Sequence, residues 1–418
     1  MRYLYSLLLY LLTPFVILRL VWRGRRVPAY RRRMGERFGF FPPLPVDGVV
    51  WLHAVSVGEV QAALPLIDWL RQERGMPVLV TTTTPTGSEL LRQRFGDRVF
   101  HVYAPYDLPG AVRRFLKRAR PRMAIIMETE IWPNLFHQCA RAGIPLVIAN
   151  ARLSEQSARR YGRFPVLTAA TLRKVAVLAA QARGDAGRFI ELGAEAQRVH
   201  VTGNIKFDVS LPADVHERAA QLRRAWGERR PVWVAASTHD GEEEPVLSAF
   251  AMVRTRLPET LLVLVPRHPE RFDKVAELCR RRGYGVARRS AQDPVDAGTA
   301  VFLGDTMGEL TLFYAAADVT FVGGSLVPTG GHNILEPAAL GIPVLVGPHT
   351  YNFLEISQSL IGHGGGERVW NDTGLATAVV RYLEDAKLRD AAGSCGRELV
   401  ERNRGALAKL QALLSVQL

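Results

Sequence analysis

Cysteine is scarce in this 418-residue chain: Cys139, Cys279 and Cys395 are scattered and odd in number. They support neither a disulfide framework nor a zinc ribbon and fit a reducing compartment. Several chemistry-bearing motifs are missing as well. There is no HExxH, no CxxC, no DxD-like acidic pair and no GxSxG, which disfavours metal, thiol and serine-hydrolase chemistry. Neither GxGxxG nor Gly-Lys-Ser/Thr occurs at the glycine-rich loop, which argues against a dinucleotide site and a P-loop. Internal repeats and low-complexity segments are absent. Acidic residues are the minority charge. The balance of 54 Lys and Arg against 40 Asp and Glu gives a formal +14 and points to an anionic partner. No basic stripe interleaved with aromatics is present, so a nucleic-acid partner is not expected.

With 48% apolar residues, the chain has ample material for two or three packed domains. Residues Tyr3–Leu18 are almost wholly apolar, and Arg19, Arg23, Arg25, Arg26 and Arg31–Arg33 follow. A signal peptide would carry its charge before the apolar segment and a small-residue cleavage site after it. The arrangement therefore predicts a membrane anchor whose following chain is cytoplasmic. The segment either spans the bilayer or lies in its interface. The arginines suit an anionic membrane surface.

Beyond the stiff Phe41–Pro45 spacer, apolar runs alternate with amphipathic ones. Strands are expected at Val49–Ala54, Val78–Thr82, Val99–Ala104, Met123–Met127, Leu146–Ala149, Val175–Ala179 and Val199–Thr202. A second series covers Val232–Ala236, Leu261–Pro266, Val301–Leu303, Val319–Gly323 and Val344–Val346. This is a βαβ pattern, so an α/β architecture of two doubly wound parallel sheets is predicted, with a hinge near Asn204–Pro212. Ligands of such sheets bind at the carboxyl ends of strands, so two facing sheets would form a cleft there.

Val322–Pro348, VGGSLVPTGGHNILEPAALGIPVLVGP, reads as strand, glycine-rich loop, short helix and strand. Asn333 stands at the expected N-cap and Ile334, Leu335 and Glu336 form the first turn. Free N–H groups of the loop and the helix dipole suit a phosphate. Glu336 suits paired ribose hydroxyls. Four further motifs follow strands. In HAVSVGEV (His53–Val60), Glu59 opens a helix, is held ionised by the helix N-terminus and is a candidate general base. In METEIWPNL (Met127–Leu135), Glu128 and Glu130 are two apart and share one face. GNIKFD (Gly203–Asp208) presents Lys206 at the hinge. VPRHPERF (Val265–Phe272) offers Arg267 to a phosphate, with His268 as a second donor. Gly308, Glu309 and Leu310 open another helix at a ligand-facing place. ASTHDGEEE (Ala236–Glu244) is a strand end followed by an acid-rich helix start.

Taken together, HAVSVGEV, METEIWPNL, GNIKFD, VPRHPERF and GGHNILEPAALGIPVLVGP resemble, in order and approximate spacing, the 3-deoxy-D-manno-octulosonic acid (Kdo) transferases of lipopolysaccharide synthesis. The resemblance includes RRMGERFG (Arg32–Gly39) and covers nearly the whole chain. It implies the GT-B fold, with two Rossmann-like domains facing a cleft and an N-terminal membrane-anchoring helix. It implies an anchor at 1–24, an acceptor-binding domain at 25–208, and a CMP-sugar-binding domain with terminal helices at 209–418. The implied enzyme is an inverting, metal-independent glycosyltransferase on the cytoplasmic face of the bacterial inner membrane. It would move Kdo from CMP-Kdo to a lipid A precursor without a cofactor. The resemblance puts the base on Glu59 and the charge-stabilising groups on Glu128, or Glu130, and Lys206. It puts CMP contacts on Arg267, His268, Gly308, Glu309, Leu310 and Asn333, Ile334, Leu335, Glu336. A GT-B transferase with another nucleotide sugar and lipid acceptor is the alternative.

Overall fold

The computed structural model describes Met1–Leu418, the side chain of Arg26 excepted. The chain forms two compact units, Met1–Asp208 with Gly405–Leu418, and Val209–Arg404.

The first unit is built on seven strands: β1 (Val49–His53), β2 (Val78–Thr82), β3 (Phe100–Tyr103), β4 (Pro121–Met127), β5 (Leu146–Ala151), β6 (Val177–Ala180) and β7 (Val199–Val201). All pair in parallel, in the order β3-β2-β1-β4-β5-β6-β7. The central strands are buried on both faces, as their continuous apolar runs require. Trp51, Phe115, Phe136 and Phe189 fill one face of the sheet. Leu52, Leu66, Ile125 and Leu70 fill the other.

Strands β8 (Val232–Thr238), β9 (Leu261–Pro266), β10 (Gly285–Arg288), β11 (Thr299–Leu303), β12 (Val319–Val322), β13 (Val344–Val346) and β14 (Gly366–Arg368) form the second unit's sheet. It is also parallel, in the order β10-β11-β9-β8-β12-β13-β14. β10 and β14 were not anticipated. They are four- and three-residue edge strands carrying Arg288, Glu367 and Arg368, without the apolar run that marks a buried strand.

Both sheets reverse direction of winding once, between β1 and β4 and between β8 and β12. Ligands of doubly wound sheets bind outside the carboxyl ends at that reversal. Glu59 and Glu128 follow β1 and β4, while His239 and the glycine loop follow β8 and β12.

One expectation about organisation is corrected. Helix Ala406–Ser415, expected among the second domain's terminal helices, belongs to the first unit. Its Ala406, Leu410 and Leu414 are fully buried in that unit's core. Its start is tied down by Asp208, whose carboxylate accepts the N–H groups of Gly405 and Leu407 at 2.6 Å each. The boundary between the units falls at Asp208/Val209, within the expected Asn204–Pro212, and GNIKFD just before it is locally tied down: Asn204 caps the Lys206 N–H at 3.0 Å, and Asn150 accepts the Ile205 N–H at 3.1 Å.

Helix Arg2–Arg26 is long and apolar enough to cross a membrane. Its less exposed positions recur at Arg2, Ser6, Leu9, Thr13, Ile17, Leu20 and Gly24, a stripe that follows the helical period. The first turn docks on the unit: Ser6 and Arg2 donate to the Asn134 side-chain oxygen at 3.0 and 3.2 Å, and the Tyr5 hydroxyl donates to Asp107 at 3.0 Å. Leu7, Leu11, Phe15, Leu18 and Trp22 stay exposed on the other side.

Replacing Leu410 with Ala removes a fully buried side chain and is expected to destabilise the first unit by about 2–5 kcal/mol. Urea unfolding followed by a first-unit probe checks this. A loss seen only in the second unit would contradict the assignment of the last helix.

Candidate active site

In the first unit, β1 delivers the chain to Ser56, which caps helix Val57–Asp68 by accepting the Glu59 N–H at 3.2 Å. Glu59 answers: its carboxylate accepts from the Ser56 hydroxyl at 2.9 Å and from the Val55 N–H at 2.8 Å. This is a variant of the capping box, with the carboxylate taking the Val55 N–H in place of the cap's own, and any helix start could use it. Its surroundings are less ordinary. Glu59 is 7% exposed. Burial first, and the charges of Glu128 and Glu130 after it, outweigh these hydrogen bonds and raise its pKa to about 8. The expectation that the helix N-terminus keeps Glu59 ionised is therefore overturned: desolvation and like charge win.

Glu128 takes a left-handed backbone, φ 57°, immediately after β4. That conformation costs a non-glycine residue roughly 1–2 kcal/mol, and such strain concentrates at functional sites. Both Glu128 and Glu130 act electrostatically on Glu59. Glu128 pairs with the Lys206 ammonium at 3.4 Å. Glu130 accepts from the Trp132 indole at 2.6 Å, and burial raises its pKa. Glu59, Glu128 and Lys206 thus come together at the winding reversal of one sheet. Buried Asp107, which sequence reasoning passed over, positions the segment behind them. It accepts the Asn134 and Leu135 N–H groups at 3.0 and 2.6 Å. Its only signal was an Asp before a Leu-Pro helix start.

The second unit departs further from expectation. Gly323 and the glycines after it do bring the backbone close, but to an internal anion. The fully buried Glu242 carboxylate accepts N–H groups from Gly324, Ser325 and Leu326 at 2.6, 3.0 and 2.8 Å, and from His239 at 2.9 Å. A Cβ on Gly323 would lie 2.9 Å from that carboxylate, so glycine is required by close approach. These loop donors are not free for a phosphate. The following helix is only Leu335–Ala339, with Ile334 rather than Asn333 at its cap. Its dipole is correspondingly small. Asn333 still contributes, accepting the Leu335 N–H at 3.1 Å and donating to Glu336 at 3.0 Å.

Cationic and imidazole groups gather instead beside the loop. His239 and His332 approach Nε2 to Nε2 at 2.7 Å, with rings nearly parallel. His268 meets His239 edge-on. One proton joins His239 to His332, since two charged rings would repel. Burial first, then His239 and Arg267, lower the His332 pKa to about 3. Among the described residues, the Arg267 guanidinium makes no ion pair or hydrogen bond. The other expected segments are drawn together as well. The Thr311 hydroxyl, next to Leu310, donates to Glu336 at 2.9 Å. Gly308 has φ 86°. The Glu309 carboxylate is engaged by Arg289 at 2.7 Å and Thr306 at 2.6 Å, which makes it a support for the turn. His239, His332, Thr311 and Glu242 were missed as site residues, although THDGEEE and GGHN carried the first, second and fourth, and Thr311 directly follows Leu310.

The 3-deoxy-D-manno-octulosonic-acid transferase (kdotransferase) family model matches residues 32–209. A 3-deoxy-D-manno-octulosonic acid transferase of Haemophilus influenzae is 42% identical over 418 residues, 99% of this chain and 98% of that protein. One of Bordetella pertussis is 38% identical over 426 residues, 97% and 96% of the two chains. Among solved structures, Anabaena HepE in complex with UDP has a TM-score of 0.51 at 16% identity, covering 88% of this chain and 99% of that one. At that identity the fold is what is shared.

Glu242→Ala strands four N–H groups in a buried place. We expect a loss of at least about 3 kcal/mol in second-unit stability. A loss below about 1 kcal/mol in denaturant titration would contradict the anchoring role.

Proposed function

The chain belongs to the 3-deoxy-D-manno-octulosonic acid (Kdo) transferase family, and from that premise we propose that it moves Kdo from CMP-Kdo, with inversion, onto a phosphorylated, acylated disaccharide, the lipid A precursor. It is a glycosyltransferase. One observation carries the finer reading: a buried Glu59 with its pKa raised to about 8 stands at the winding reversal beside the Glu128–Lys206 pair.

A sugar hydroxyl is a weak acid, so its proton leaves late, as the new bond to the anomeric carbon forms. A base that titrates near 8 holds that proton better than an ordinary carboxylate. Its cost is that only roughly a tenth of Glu59 is ionised at pH 7. Inversion follows if the acceptor oxygen enters opposite the departing phosphate. The Lys206 ammonium offsets the donor's carboxylate, and Glu128 holds that ammonium in place. Arg267 and His268 offset the charge that grows on the leaving CMP phosphate, without a metal. Glu336, with one lone pair left on each oxygen, takes ribose hydroxyls. Asn333, Ile334, Leu335 and Gly308–Leu310 shape the nucleotide pocket around it.

Helix Arg2–Arg26 lies in the interface of the inner membrane, on its cytoplasmic face, rather than crossing it. The docked first turn and the shielded stripe along the whole helix support that placement.

The test is transfer of labelled Kdo, from CMP-Kdo generated in situ, to tetraacylated precursor with chelator present. Wild-type protein is expected to form product, with kcat/KM rising tenfold per pH unit and levelling near pH 8 as Glu59 ionises. Glu59→Gln should fall by about 10²–10⁴-fold and lose that limb of the profile. A fully active Glu59→Gln would remove the base. Arg267→Ala should raise the donor KM about tenfold or more, for one lost charge-assisted phosphate contact. An unchanged donor KM would take Arg267 out of the donor site.

A further inference from the structure

Helix Glu155–Gly162 follows the carboxyl end of β5, the neighbour of β4. It therefore stands at the same end of the sheet as Glu128. Its inner side packs on the core through Ala158 and Tyr161. The Tyr161 hydroxyl donates to the Thr129 carbonyl at 3.3 Å, and the Thr129 hydroxyl donates in turn to the Arg152 carbonyl. The helix is thus fastened to the residue between Glu128 and Glu130.

Its outer side carries Gln156, Arg159, Arg160 and Arg163 at helical spacing. These four line an open hollow of about 580 Å³. Arg159 has an exposed partner in Glu155 at 3.5 Å. Among the described residues, Arg160 and Arg163 make no ion pair or side-chain hydrogen bond. Nothing in the fold uses these two charges. Phe164 and Val166 come directly after them and are 56% and 68% exposed.

Two unpaired guanidinium groups beside exposed apolar side chains fit a ligand that is phosphorylated at one point and acylated nearby. Guanidinium grips a phosphate bidentately. Resting on the acceptor reading above, we propose that Arg160 and Arg163 bind a phosphate of the acylated disaccharide acceptor, with Phe164 and Val166 against its acyl chains. The anchorage through Tyr161 and Thr129 ties that contact to the loop of Glu128. The face then sorts acceptors by their phosphate, a task separate from donor binding and proton transfer.

The experiment compares the tetraacylated acceptor with its enzymatically dephosphorylated form, in detergent, for wild type and Arg160→Gln/Arg163→Gln. Both substitutions are at exposed positions, and an unchanged Tm confirms folding. Wild type should prefer the phosphorylated acceptor by about tenfold or more in kcat/KM. The double variant should lose that preference through acceptor KM, with donor KM unmoved. A second arm measures sedimentation with phosphatidylcholine vesicles with and without phosphatidylglycerol. Equal binding by both proteins is expected. A variant that keeps its acceptor preference overturns the proposal, and if it also loses vesicle binding the face reads bilayer headgroups instead. Wild-type transfer to neither acceptor overturns the acceptor reading itself, a result distinct from transfer indifferent to the arginines.

Discussion

Like charges crowded into a dry place set the terms for the first unit. Glu59, Glu128 and Glu130 follow strands that end side by side, because parallel strands all release their loops at one edge. Three ionised carboxylates there would repel, and burial adds to the cost of charging Glu59. The fold answers in three ways. Lys206 pairs with Glu128, the Trp132 indole serves Glu130, and Glu59 holds a proton well above the ordinary carboxylate range. A proton-holding group at the strand ends is what a base for a sugar hydroxyl needs. On the proposed mechanism, proton chemistry and fold stability draw on one arrangement.

The second unit solves a related problem with an anion of its own. A glycine-rich loop after β12 exposes a row of N–H groups, and Glu242 satisfies them from within. This frees the loop from needing a ligand in order to hold its shape. In the proposed function, recognition of the anionic donor falls to side chains around the loop: Arg267, His268 and the hydrogen-bonded pair His239–His332.

Much of this was legible in the amino-acid order. Apolar runs marked all seven strands of the first sheet and five of the second, because buried parallel strands leave little choice of residue. The positions after those strands carried Glu59, Glu128, Lys206, Arg267 and Glu336. What could not be read was which partner each polar group would find. Glu242 looked like one acid in an acid-rich helix start, and only its burial reveals what it binds. Ionisation of Glu59 was misjudged for the same reason: local helix geometry is visible in a sequence, whereas desolvation by distant residues is not. The last helix was assigned to the nearer unit, since an amphipathic pattern shows that a face is covered but not by which core. Edge strands Gly285–Arg288 and Gly366–Arg368 were too short and polar to show.

The account turns on the protonation of Glu59, and that can be observed directly. We would label glutamate side chains with ¹³C at Cδ and follow their shifts by NMR against pH in the unliganded protein, with Glu59→Gln to assign the signal. One resonance titrating near pH 8, and missing from the variant, is the predicted result. A Glu59 signal that titrates below about pH 5, like an exposed carboxylate, would contradict the account and leave Glu59 as a helix cap alone.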